Sequence, residues 1–278
     1  MSTVKNRAIQ GDSKEFLKVF NQLCYSRSAW EVWADVITVM ACSIANAVDR
    51  SPKRHESRES EYARCIEHLG GVEKPAALFA IVVEALERNP DQDFLGALYM
   101  NLELGNHWKG QFFTPYGISR CMAEITLGNC RGQIEREGWI SVCDPTVGGG
   151  TMLISAANTI RRQKVNYQNH VLFVGQDIDR IVAMMAYIQI SLLGCPGYIV
   201  VGNSLENPIV GSPLEPAEKE GQEFWYTPFY FSEVWHYRRL FANMDRIFRS
   251  AEKEHNKPIS LRGGFLFEFE KGGRESVV

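Results

Sequence analysis

Between Trp139 and Thr151 the chain reads Trp-Ile-Ser-Val-Cys-Asp-Pro-Thr-Val-Gly-Gly-Gly-Thr, and no other stretch restricts its fold as much. The β-forming residues Trp139 to Cys143 stop at Asp144-Pro145. Gly148, Gly149 and Gly150 follow, and then Met152, Leu153, Ile154, Ala156, Ala157 and Ile160 read as a helix. Strand, glycine turn and helix in this order open a βαβ unit, which implies an α/β fold. Glycines at such a turn let the backbone approach a ligand closely, and the helix N-terminus offers free N–H groups. The spacing is not that of the dinucleotide fingerprint, so a nicotinamide or flavin cofactor is not the first expectation. A plain strand-to-helix turn is the alternative at this point.

Two further strands are predicted downstream. Val171 to Val174 runs into Gly175-Gln176-Asp177-Ile178-Asp179, and Tyr198 to Val201 runs into Gly202-Asn203-Ser204-Leu205. An acidic residue after the second strand is where a βαβ site holds ribose hydroxyls, because a carboxylate accepts both hydrogen bonds. Asp177 lies farther from the glycines than the usual spacing of about 20 residues. Asp179 suits the cap of the helix Ile181 to Leu193, which leaves Asp177 for a ligand. Three strands thus end in polar or glycine-rich turns on one sheet edge, where open α/β sheets bind ligands.

Residues 12 to about 105 read as helical, with no catalytic constellation. Asp12 or Ser13 caps a first helix, and Trp30 to Val48 is apolar around much of its circumference, as in a buried helix. Ser51 to Glu61 reads as a charged connection. Lys74 to Arg88 and Asp93 to Leu104 complete the run. The polar break Gly105 to Trp108 divides a helical module, 1–105, from a second domain, 106–278. The apolar stretch Val36 to Ala47 is too short to span a bilayer. A polar N-terminus, seven cysteines without a Cys-x-x-Cys pair and a net charge of −3 suggest a soluble, cytoplasmic protein with neither disulfide framework nor zinc site. Nothing global marks a nucleic-acid binder, which favours a basic chain.

Gly110-Gln111-Phe112-Phe113-Thr114-Pro115 opens the second domain. Thr114 would cap the following helix, with Pro115 at its first position, and the paired phenylalanines would form a flat apolar wall beside a polar ligand. Together with Asp144 to Thr151, Gly175 to Asp179 and Gly202 to Leu205, this segment resembles the N-6 adenine DNA methyltransferase family. The likeness is to the methyltransferase subunits of type I restriction–modification systems, and it covers most of residues 75 to 206.

The resemblance implies a Rossmann-like class I methyltransferase sheet, shortened, behind an N-terminal helical module. It implies S-adenosylmethionine as cofactor. Phe112, Phe113, Thr114 and Pro115 would surround its methionine end. Asp144 and the backbone at Gly148 and Gly150 would hold the amino-acid moiety. Asp177 would bind the ribose, Ile178 would lie against the adenine ring, and Asn203 would sit at the adenine edge. The family usually has Asp at that last place. Its glycine turn usually reads Ala-Cys-Gly-Ser-Gly where this chain has Thr146 to Gly150.

The larger departure lies downstream. Methylating an adenine amine needs the base flipped out of the duplex and held by acceptors at N6. The family supplies these as Asn-Pro-Pro-Tyr or Asn-Pro-Pro-Phe, a tetrapeptide this chain lacks. The best-placed substitute is Tyr226-Thr227-Pro228-Phe229-Tyr230, in which Thr227, Pro228, Phe229 and Tyr230 become the candidate catalytic residues. An aromatic core strand is the alternative reading of that segment. Glu206 to Gln222 reads as a surface loop, Ser232 to Glu254 as a helix with a basic face, and Gly264 to Glu270 as a fifth strand.

The resemblance therefore implies a DNA adenine-N6 methyltransferase with a degenerate base-holding motif. It would act on double-stranded DNA, with target reading supplied by a specificity-providing partner chain or a homo-oligomer, and with no membrane partner. The alternative from another class is a catalytically silent methyltransferase-like protein that acts as partner or regulator of a restriction–modification or other DNA-processing complex. Methylation of RNA, protein or a small molecule is a third, weaker reading.

Overall fold

The computed structural model describes residues 11–102, 104 and 113–255. Its central sheet forms where β-branched residues gather, with Phe173 and Tyr198 among them. Strand β1 is Ile140–Asp144, β2 is Val171–Asp177 and β3 is Gly197–Val201, and the three run parallel in that spatial order. Asp144 lies beside Gly175, and Asp177 beside Val201, so the polar turns after all three strands meet at one edge. The period of two divides the side chains between two cores. Phe173, Ile199 and Trp225 face one, and Leu172, Val174, Tyr198, Val200, Phe224 and Tyr226 face the other. Burial on both faces explains why β2 and β3 read as nearly continuous apolar runs.

The first core is shared with helices. In order these are α1 (Gly11–Leu23), α2 (Ala29–Val48), α3 (Pro52–Leu69), α4 (Glu73–Arg88) and α5 (Phe94–Asn101), then α6 (Tyr116–Leu127) and α7 (Arg131–Glu137). After β1 comes α8 (Thr151–Arg162), followed by a short α9 (Tyr167–His170), and α10 (Arg180–Leu192) lies between β2 and β3. Ser28 and Glu31 form a reciprocal capping box that starts α2. At 20 residues α2 is longer than the stretch Val36 to Ala47 and passes a test of length and composition for a membrane span, as core helices also do. It is packed in the protein core instead, with Trp33, Val36, Ile37 and Met40 fully buried. Each such side chain contributes roughly 1.5–3 kcal/mol through burial.

The expected connection Ser51 to Glu61 is the first half of α3. Pro52 sits at its start, where a missing N–H costs nothing. Its buried stripe is only Arg58, Cys65 and Leu69, too sparse and too charged to read as amphipathic from sequence. Arg58 is buried because its charge is met: it donates to Asp49 at 2.9 Å and to the Phe224 carbonyl at 3.1 Å, and lies 4.7 Å over the Trp225 ring. Within Glu206 to Gln222, a small hairpin forms from β4 (Val210–Ser212) and β5 (Glu215–Ala217).

Strand β6 (Glu223–Tyr226) pairs antiparallel with β3, Tyr226 beside Tyr198 and Glu223 beside Val201. Helix α11 (Glu233–His255) follows a 3-10 turn over Pro228–Phe231. In it Trp235 is fully buried, donating from Nε1 to the Gln168 carbonyl at 2.7 Å. The chain divides into two compact units, Met1–Arg239 and Leu240–Val278. In the second, Leu240, Phe241, Met244, Ile247 and Phe248 are exposed. The strand expected at Gly264 to Glu270 lies outside the described residues, as does Phe112.

Candidate functional site

The polar turns at the C-terminal edge of the parallel strands enclose a cleft of about 210 Å³. Its walls come from Phe113, Thr114, Asp144, the turn Thr146–Gly149, Thr151, Met152, Asp177 and Val182. The turn is folded by its own backbone. Val147 N–H donates to the Gln176 carbonyl and Gly150 N–H to the Val147 carbonyl, both at 2.9 Å. Gly148 has φ +54° and Gly150 φ +95°, conformations that side chains seldom adopt. A Cβ at Gly148 would lie 3.6 Å from the Phe113 ring, and one at Gly150 would lie 3.1 Å from Ala186. Gly148 thus keeps the cleft open, whereas Gly150 lets α8 close on α10.

Both carboxylates at the cleft are partly used and partly free. Asp177 accepts from Gly148 N–H and from Asp179 N–H, each at 2.9 Å. A carboxylate has about four acceptor positions, so about two remain for ligand hydroxyls. Asp144 accepts from Thr146 N–H at 3.0 Å. Burial pushes both carboxyls above the ordinary carboxylate range. The bonds from Gly148 and Asp179 N–H pull Asp177 partly back. Asp179 caps α10, accepting from Ile181 and Val182 N–H, as the sequence suggests.

Phe113 forms the apolar wall and stacks on Tyr99 of α5, ring centroids 5.3 Å apart. Thr114 lines the cleft but does not cap α6. Pro115 is the N-cap residue, one position later than expected, and no side chain supplies the cap bond. Ile178 is 69% exposed next to Asp177, an apolar surface at the rim. Asn203 lies just past β3, where Gly202 N–H donates to the Asp177 carbonyl at 2.8 Å. Its side-chain oxygen accepts from Leu205 N–H at 3.0 Å, so Asn203 also folds its own turn.

Thr227, Pro228, Phe229 and Tyr230 are not brought to this cleft. Because β6 runs antiparallel to β3, they follow its end at the N-terminal edge of the sheet, beside Gly197. Thr227 is fully buried; its hydroxyl donates to the Cys195 carbonyl at 2.7 Å and accepts from Gly197 N–H at 3.0 Å. Tyr230 donates to the Leu214 carbonyl at 2.7 Å, and burial holds its phenol at about 12. Their expected role at a flipped base has no geometric support here. The sequence placed the segment after the apolar run Phe224-Trp225 but carried no sign of that strand's direction, which is antiparallel to β3.

The sequence reading missed the layer behind the cleft. Asp93, the N-cap of α5, accepts from Gly96 N–H at 2.8 Å, Gln189 Nε2 at 2.7 Å and the Thr151 hydroxyl. Gln189 also donates to the Gly149 carbonyl at 2.9 Å and accepts from Leu95 N–H at 3.0 Å. A glutamine in the otherwise apolar run of α10 was the available signal, since a buried amide needs partners.

Residues 92–274 match the family described as N-6 DNA methylase. Among solved structures, the type I restriction-modification system methyltransferase subunit from Streptococcus thermophilus is similar, with 16% identity and a TM-score of 0.32. The likeness covers 72% of this chain and 45% of that one, so the chain spans less than half of that subunit's length. No curated protein matches.

Proposed function

The chain belongs to the N-6 DNA methylase family, and on that premise we propose that its cleft binds S-adenosylmethionine for methyl transfer to the exocyclic amine of adenine in DNA. The observation that carries this reading is the convergence of Phe113, Gly148, Asp144 and Asp177 on one cleft at the C-terminal edge of β1 and β2. The groups fit. A glycine with no Cβ lets the ligand lie against the turn, a half-satisfied carboxylate suits vicinal hydroxyls, and among the described residues no Lys, Arg or His lines the cleft. Bound there, the cofactor supplies an electrophilic methyl group. Asp177 would hold the ribose, Asp144 and the turn backbone the amino-acid moiety, Phe113 to Pro115 the methionine end, and Ile178 and Asn203 the adenine.

In this reading the parallel strands and their helices are a shortened Rossmann-like sheet, with 1–105 as a helical module. Double-stranded DNA is the substrate, a partner chain or second copy supplies sequence recognition, and the work is done in the cytoplasm. The test has two stages. Calorimetric titration should show saturable one-to-one binding of S-adenosylmethionine; no binding would end the reading. Modification-sensitive sequencing of DNA from a methylation-deficient host expressing the chain with its candidate partner should then show N6-methyladenine in one sequence context.

One observation favours a second reading. The segment that replaces the family's base-holding tetrapeptide is locked into the far edge of the sheet through Thr227 and Tyr230. A protein that keeps the cofactor cleft and serves a DNA-processing complex without transferring a methyl group accounts for that directly. Cofactor binding without DNA modification, with the partner present, would select it.

A further inference from the structure

Helix α11 is anchored along one side. Trp235 is fully buried, Arg238 donates to the carbonyls of Asn169 and Gly138, the latter at 3.0 Å, and Arg239 donates to the Tyr230 carbonyl at 2.8 Å. At about 3.6 residues per turn these three side chains share one face of the helix. The opposite face carries Val234, Tyr237, Phe241, Met244 and Phe248, spaced alternately three and four residues apart, and all five are exposed. Leu240 and Ile247 are exposed beside them. The stripe runs about 21 Å along the helix. Single exposed apolar residues are ordinary, but a contiguous stripe of this size marks an interaction surface.

Alternating steps of three and four residues make the seam that one helix presents to another, because they keep the side chains in line where two helices cross at a shallow angle. We infer that this stripe pairs with the same stripe of a second copy, in a parallel two-helix contact that makes the protein a homodimer. Three observations select that occupant. The stripe is apolar throughout, so it is complementary to itself, as a twofold contact requires. Its flanks are unlike: Asp245 borders one side, and Leu240 and Ile247 border the other. A parallel pair sets unlike flanks together, with Asp245 beside the partner's Leu240 and its carboxylate at the solvated rim. An antiparallel pair sets the two Asp245 flanks against each other, which opposes like charges. The area also suffices. Tyr237, Phe241 and Phe248 are each more than half exposed. An aromatic side chain offers about 150–250 Å², so these three leave roughly 350 Å² on each copy. With Val234, Leu240 and Met244 included, a pair covers on the order of 1,000 Å², about what a specific interface needs. The contact uses no residue of the cleft, so the inference stands apart from the cofactor reading.

The test is sedimentation equilibrium of the full chain. The wild-type chain should show a monomer–dimer equilibrium with a dissociation constant on the order of 10 μM, as suits an interface at the small end of the range. Phe241→Glu sets two like charges in the middle of the seam and should weaken pairing at least about a hundredfold. Because Phe241 is exposed, its circular dichroism and thermal unfolding should remain those of the wild type. Ala242→Glu, an exposed neighbour off the stripe, should pair as the wild type does. Met244→Cys reads the direction. In a parallel pair the two introduced thiols face each other, and mild oxidation should give a covalent dimer under conditions in which the wild-type chain gives none. A wild-type chain that stays monomeric at about 100 μM, roughly tenfold above the expected constant, would overturn the inference. So would a Phe241→Glu chain that still dimerises, or equal loss of pairing in Phe241→Glu and Ala242→Glu. Pairing lost in Phe241→Glu without a cross-link through Met244→Cys would overturn the parallel arrangement.

Discussion

The two edges of the central sheet are built from similar residues and do opposite things. At the C-terminal edge Asp144 and Asp177 keep acceptor positions that nothing in the described residues fills, and Gly148 and Gly149 leave the backbone bare. At the N-terminal edge Thr227 and Tyr230 spend their hydroxyls on backbone partners, and Tyr198, Tyr226 and Tyr230 pack ring against ring, with centroids 4.7–6.0 Å apart. Glycine divides the same way. Gly197 at the N-terminal edge is required by packing, since a Cβ there would fall 1.8 Å from the Phe173 carbonyl oxygen. Gly148 is required by access. Unspent polar capacity, rather than residue type, marks which edge is available to a ligand.

This contrast can be broken from either side. The largest effect is expected from Gly197→Ala, where the collision is with backbone and cannot be relieved by a rotamer change. It should destabilise the chain by roughly 3 kcal/mol or more in urea unfolding. Asp177→Ala comes next and acts in the other currency. Loss of two hydrogen bonds to a carboxylate should weaken S-adenosylmethionine binding about a hundredfold in calorimetry. Thr227→Val leaves buried backbone groups at Cys195 and Gly197 without their partner. It should cost about 2 kcal/mol of stability and leave cofactor affinity unchanged. A Thr227→Val chain that folds normally and loses cofactor would erase the distinction between the edges.

The smallest effect is a pH dependence. Folding raises the carboxyls of Asp144 and Asp177 above their ordinary value of 3.8. Their contribution to stability is therefore complete below 3.8 and is lost as pH rises through the raised folded values. Ligand binding runs the other way. A cationic ligand favours the ionised carboxylates, so its affinity should fall severalfold as pH drops through the same window. Thermal unfolding with and without ligand across that range should show the two trends crossing.

Much of the C-terminal edge was legible in the sequence because its signals are local. Asp144-Pro145 and the glycines end β1, and Gly175 to Asp179 ends β2, within a few residues of the groups they position. Asp179 as a cap and Asp177 as the residue left for the cleft followed from spacing alone. The N-terminal edge was not legible, because whether Thr227 reaches the cleft depends on the direction of β6 relative to β3. That direction is set by the course of residues 202–222, which leave no periodic signal. Helix α3 was missed for a different reason: its buried face is held by Arg58 on Asp49 and Trp225, a pairing 166 residues apart at its Phe224 bond. Asp93 and Gln189 are also long-range partners, 96 residues apart.

Hydrogen exchange, read by mass spectrometry with and without S-adenosylmethionine, tests the central claim most directly. The account predicts added protection over Thr146 to Thr151 and Asp177 to Asp179, where the ligand would cover the glycine turn and the end of β2, and no change over Thr227 to Phe231. Protection at Thr227 to Phe231 with none at the glycine turn would contradict it and move the site to the opposite edge of the sheet.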